Sequence, residues 1–229
     1  MMIGPEAYYE EHLKGKNKKQ IMVVIADLRQ EMDNLKNTME HPTYGRKPII
    51  QPSESTRLWC ARLYLERAKQ ALEDVGGSYV LSKEEQKAKR FDDSIPAICR
   101  VKFSIGGCFS GQQTYIIAIG DDEKLHYSVE YSGIYKPIDQ LDTQGYLFEK
   151  DEFLDGIREL HMGEWRSSYN PERFGYSYLD GTQWELEVEF SDGHKSFKSY
   201  GDNSYPYNFA EFQELLGIDN TEEEDNFDE

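Results

Sequence analysis

The apolar residues of this chain change period part of the way along, and that change limits the fold more than any single motif. From Asn17 onward Ile21, Ile25, Leu28, Met32, Leu35 and Met39 recur at alternating steps of four and three, the seam of an amphipathic helix. Asn17 and Gln20 have the separation of a capping box. Pro42 ends the helix, because the residue before a proline is pushed out of helical conformation. A second helix starts after Pro52-Ser53, with Leu58, Ala61, Leu65, Ala68, Leu72 and Val75 on one face and Gly76-Gly77 as its stop. Two seams of similar length predict an antiparallel helical hairpin, with Trp59 and Tyr64 beside the second seam. Ser82, with Glu85 three residues on, predicts a short helix over Lys83 to Arg90.

From about Ile95 the pattern alternates. Cys99, Val101, Phe103 and Ile105 face one way and Arg100, Lys102 and Ser104 the other, the mark of a half-buried strand. Thr114 to Ile119 and Leu125 to Tyr131 flank Gly120-Asp121-Asp122-Glu123 as a hairpin, and Phe153, Ile157 and Leu160 mark a helix from near Asp151. Asp180-Gly181 and Asp192-Gly193 are two-residue turn signals, so residues 174–200 read as a three-stranded meander. A last helix carries Phe209, Phe212, Leu215 and Leu216, with Asn208 and Glu211 as a capping-box-like start and Gly217 as its end. The expected fold is α+β: an N-terminal antiparallel helical hairpin in residues 1–95, then an acidic antiparallel β-sheet domain with two packed helices in 96–218. Residues 219–229 hold seven carboxylates and no base, which predicts a solvated, disordered tail.

Charge divides along the same line. The formal charge is −17, which excludes a passive basic nucleic-acid binder, and residues 96–229 account for −18 against +1 for residues 1–95. Direct binding to naked nucleic acid is therefore not expected, although Lys14, Lys16, Lys18 and Lys19 form a short basic lead-in to the first helix. The longest strongly apolar run, Ile21 to Ala26, is far below membrane-spanning length and the start lacks the pattern of a secretory leader. A cytoplasmic protein without membrane contact is expected. Cys60, Cys99 and Cys108 are scattered and odd in number, the usage of reduced thiols, so no disulfide is predicted.

The sharpest local pattern is Gln183-Trp184-Glu185-Leu186-Glu187-Val188-Glu189-Phe190. Alternation sends Trp184, Leu186, Val188 and Phe190 to the core and lines Glu185, Glu187 and Glu189 on the opposite face about 6.7 Å apart. A two-residue turn at Asp192-Gly193 would set Lys198 opposite Glu187 and Ser196 opposite Glu189, and the turn at Asp180-Gly181 would set Tyr176 opposite Glu185. A plain solvated sheet face accounts for such a row as well as a docking face does. As a docking face it would steer a cationic partner by long-range attraction, with tyrosine supplying the contact area. The partner-binding candidates are Glu185, Glu187, Glu189, Tyr176 and Tyr178. The leading expectation is a non-enzymatic inhibitor that docks on the basic surface of a nucleic-acid-binding or nucleic-acid-cleaving enzyme, as a nucleic-acid mimic of the anti-CRISPR or antirestriction kind.

Two other classes fit the acidity. A divalent-metal-dependent hydrolase of nucleotides or nucleic acid would draw on Asp121-Asp122-Glu123, the glutamate row, Asp192 and His194, but a row along one strand is too spread for one ion. A toxin-immunity or structural partner is the third. Gly106 to Gly111 lacks the Gly-Lys-Ser/Thr of a phosphate loop and is not a Gly-x-Ser-x-Gly elbow; His12 and His161 have no partner at metal-ligand spacing, His41 reads as a helix-end residue, His126 as an exposed strand residue and His194 as an exposed turn residue. No catalytic residue, metal site or cofactor is assigned.

Overall fold

The computed structural model describes residues 2–46, 51–107, 111–120, 124–132 and 149–218. Cys108 and the rest of 108–110, Asp121-Asp122-Glu123 and the acidic tail lie outside them, while Gly106, Gly107 and Gly111 of the expected glycine-rich loop belong to strands. The chain splits into two compact units, Met1–Ser82 and Lys83–Glu229.

The first unit is the expected hairpin with an additional short helical segment. α2 (Lys18–Met39) begins at a complete capping box, in which Asn17 accepts from the Gln20 amide and the Gln20 side chain accepts from the Asn17 amide. α3 (Glu54–Asp74) is capped by Ser53, whose hydroxyl accepts from the Thr56 amide at 3.3 Å. All six residues of the α2 seam are buried, and Leu58, Ala61, Leu65, Ala68 and Leu72 of α3 are buried as well. Gly76 at φ +73° ends α3, a backbone shape that side chains disfavour. The addition is α1 (Pro5–Tyr8), which runs into a π-helical turn, Tyr9–Leu13. Its anchor is on α3: Tyr64 donates to the Ile3 carbonyl at 2.7 Å and stacks on Tyr8 with centroids 4.1 Å apart. Arg67 pairs with Glu6 at 3.0 Å and lies 3.9 Å over the Tyr9 ring. Trp59, by contrast, is 58% exposed.

The second unit is a six-stranded sheet in the order β3-β2-β1-β5-β6-β4, antiparallel except for β4 with β6. Its strands are β1 (Ile98–Gly107), β2 (Gly111–Ile119), β3 (Leu125–Ser132), β4 (Ser168–Tyr169), β5 (Thr182–Phe190) and β6 (Phe197–Asp202). Three helices contribute to its core rather than two: α4 (Lys83–Ser94) through Phe91, α5 (Lys150–Glu159) through Phe153, Leu154 and Ile157, and α6 (Phe209–Leu215) through Phe209 and Phe212. Phe91 is why the helix that begins at Lys83 groups with the sheet and not with the hairpin. Aromatic rings form the centre. Phe212 meets Phe103 and Trp165 edge-on at 5.1 and 5.3 Å, and Trp184 packs on Phe209 at 5.0 Å; such contacts add about 0.5–1.5 kcal/mol each beyond burial.

Three local expectations are revised. The β1 alternation is interrupted by a bulge at Cys99, where two residues of β1 oppose one of β5, so Ile98 reaches the core at 3% exposure. The 174–200 meander does not form: Pro171–Phe174 is a 3₁₀ turn, no strand covers 175–181, and the flank of β5 is taken by β1. Asn208 makes no capping bond to α6. Its amide instead joins two other segments, accepting from the Trp165 indole at 3.0 Å and donating to the Leu160 carbonyl at 2.6 Å. Asn208→Ala leaves both partners without their bond, so urea unfolding of that variant is expected to show a loss of about 1–3 kcal/mol, whereas a mere surface cap would lose less.

Candidate interaction surface

The helices bury one face of the sheet, and the glutamate row is on the other. Three strands meet there with fixed register. Glu189, Glu187 and Glu185 of β5 stand opposite Arg100, Lys102 and Ser104 of β1. On the far side Glu187 stands opposite Lys198 and Glu185 opposite Tyr200 of β6. The register of β5 with β6 is the one the sequence implies, although β6 starts only at Phe197 and the connection is longer than two residues.

Two of the three glutamates are therefore met by the protein's own bases. Lys198 Nζ lies 2.8 Å from Glu187 Oε1, and Arg100 Nη1 lies 3.8 Å from Glu189 Oε1. The hydrogen bond from Lys198, helped by its charge, the Ser196 hydroxyl and the charge of Lys102, holds the Glu187 carboxyl below its usual range against the opposing effect of burial, which is second in size only to that bond. The same contact raises Lys198. The Lys198 partner of Glu187 is the one the turn register implies, and β1 adds Arg100 and Lys102 in register with Glu189 and Glu187. Ion pairs of this exposure contribute little to stability, but they remove charge from the surface.

Glu185 is different. It is exposed and makes no ion pair among the described residues, and its β1 neighbour is the nearly buried Ser104, whose hydroxyl bonds Thr114 at 2.9 Å. Its β6 neighbour, Tyr200, is 57% exposed. Beneath them the sheet is rigid: Trp184 is 2% exposed, its indole donates to the Ser204 carbonyl at 2.9 Å, and Gly201 is needed because a Cβ there would stand 2.3 Å from that indole nitrogen. The same end carries exposed Asp202, with Asn203 beside it. Asn203 tethers the segment before β5, exchanging bonds with Thr182 at 3.0 and 2.9 Å, and Gly181 fits directly against its side chain. Just ahead of that tether Leu179 is fully exposed, Tyr178 is 45% exposed and Asp180 is exposed.

Of the three glutamates, then, only Glu185 is without a direct ion pair among the described residues, its charge reaching Lys198 at longer range, and it has an aromatic cross-strand neighbour. That neighbour is Tyr200, not Tyr176. Tyr176 and Tyr178 lie outside any strand, Tyr176 half-buried and Tyr178 exposed. Tyr200 was missed because the meander reading gave the place beside Glu185 to Tyr176, although the Asp192-Gly193 register also sets Tyr200 opposite Glu185.

Among the described residues no three His, Cys, Asp or Glu side chains gather as a metal site. His194 lies in the Ser191–Ser196 connection, where its amide and Nδ1 contact the Asp192 carboxylate at 3.1 and 2.7 Å, and these bonds hold Asp192 below its usual range. Cys60 and Cys99 are unpaired thiols. No helix among the described residues is long and apolar enough to cross a membrane. No protein-family model, curated protein or solved structure matches the chain.

Glu187 supplies a pH test of the charge matching. A carboxyl held low in the folded state favours folding above its unfolded pKa, and that contribution is lost as pH falls through the folded value. In Lys198→Ala the Glu187 midpoint, followed by carboxyl-carbon NMR, is expected to move up toward the ordinary glutamate range.

Proposed function

We propose that this protein is a non-enzymatic acidic docking protein whose sheet unit binds a basic protein surface, that of a nucleic-acid-binding or nucleic-acid-cleaving enzyme. The observation that carries this reading is the pairing of Glu185, which makes no ion pair among the described residues, with an exposed Tyr200 on a closely packed sheet end, in a unit whose net charge from residue 83 onward is −18. The charge attracts a cationic partner over roughly 8–10 Å of screened solution. The exposed Tyr200, Tyr178 and Leu179 supply the desolvated area that gives a contact its lifetime. Asp180 and Asp202 extend the negative rim.

This reading narrows the contact relative to the full row. Glu187 and Glu189 are already occupied, so they offer a partner less than their number suggests. Calorimetric titration against a panel of nucleic-acid-cleaving enzymes, at low and high salt, tests it. Glu185→Lys and Tyr200→Ala are each expected to weaken binding at least about tenfold, or 1.4 kcal/mol, and Glu187→Lys to weaken it less. Affinity should fall with salt, and a competing oligonucleotide should displace the protein. An equal or larger loss in Glu187→Lys would overturn the placement, and binding indifferent to the oligonucleotide would favour an immunity-type partner instead.

A further inference from the structure

Beside the contact between α4 and the Met162–Glu164 3₁₀ turn is a buried carboxyl that the docking reading does not use. The two backbones are nearly touching: a Cβ on Gly163 would stand 2.7 Å from both Cα and the carbonyl oxygen of Ala88. Lys87 on α4 reinforces the contact, its Nζ donating to the Trp165 carbonyl at 2.6 Å. One helical turn beyond Ala88 is Asp92, whose carboxylate oxygen Oδ1 is buried without a hydrogen-bond partner. The turn contributes Glu164, which accepts from the Tyr207 hydroxyl at 3.2 Å.

No cation is committed to Asp92. Lys89, on the same helix, holds both carboxylate oxygens of Asp93 at 2.8 Å, and Arg158 of α5 is bonded to Asp155. A buried carboxylate oxygen without a donor is costly while ionised and acceptable once protonated, when the acid itself becomes a donor. We propose that Asp92 is a proton-dependent clasp on the seat of α4: with its buried carboxyl protonated, α4 is held stably beside the Met162–Glu164 turn in mildly acidic solution, and release of the proton loosens that seat. The charged groups acting on Asp92 agree with the geometry. Burial, then the charges of Glu164 and Asp93, push its carboxyl up to about 6, against the opposing charges of Arg158 and Lys89.

The sign follows. The folded state binds the proton more tightly than the unfolded chain, so the stabilisation is complete below the unfolded aspartate value and is lost as pH rises through about 6. A fully buried group shifted by two units would change the unfolding constant by about a hundredfold, and partial exposure reduces this to about tenfold.

The test compares wild type and Asp92→Asn in urea from pH 5 to pH 8. The wild-type unfolding constant is expected to rise about tenfold more than that of Asp92→Asn, and amide exchange in α4, corrected for intrinsic rates, to quicken selectively in the wild type at the upper end. Parallel profiles for the two proteins would overturn the proposal. Carboxyl-carbon NMR of the unmodified protein gives an answer even if the variant folds poorly: an Asp92 midpoint well above the ordinary range, falling in Glu164→Gln, supports the clasp, and a midpoint near 4 refutes it.

Discussion

The sheet unit depends on the antiparallel pairing of β1 with β5, two strands separated by about half of the second unit's sequence. This pairing joins the β1–β3 hairpin series to the β5–β6 pair, and on the buried side it sets Val101 and Phe103 against Val188 and Leu186. On the wet side it sets Arg100 and Lys102 against Glu189 and Glu187. Both faces favour the same partner, which is the kind of agreement between levels that gives a sequence one preferred structure. Loop-closure entropy opposes so distant a contact, and the aromatic centre built around Phe103, Trp184 and Phe212 offsets it.

That one pairing also decides what the surface offers. Because Arg100 of β1 and Lys198 of β6 stand in register with Glu189 and Glu187, the middle of the outward face carries both signs. Ser104 and Gly106 occupy the last outward positions of β1, and there Glu185 stands without an opposing cation. The candidate contact is thus a by-product of where one strand's basic residues stop.

The helices were legible because their determinants are local. Asn17 with Gln20 and Ser53 with Thr56 form bonds within three residues, and the buried seams repeat at helical spacing. The order of the strands was less so, since alternation says which face a side chain takes and nothing about which strand lies beside it. The Asp180-Gly181 signal was read as a hairpin turn, yet Gly181 serves close packing against Asn203. Asn208 stood where a cap belongs and bridges Trp165 to Leu160 instead. The N-terminal segment had a readable start in Pro5 and Glu6, but its docking needs Tyr64 and Arg67, some sixty residues on. For the candidate surface, the outward place of Glu185 follows from alternation and the Lys198 partner of Glu187 from the turn register, while the Arg100 partner of Glu189 required knowing that β1 is the neighbour of β5.

The placement of the indoles has a practical consequence for anyone following this protein by light. Trp165 and Trp184 are buried 6.3 Å apart inside the sheet unit, whereas Trp59, the third of the chain's three, is on the surface of the helical unit. Short-wavelength emission therefore comes from the sheet unit, and its red shift on denaturation reports melting there. The helical unit can come apart almost unseen in the same experiment, so a spectroscopic probe of backbone helicity must be run beside it before one transition is taken for both.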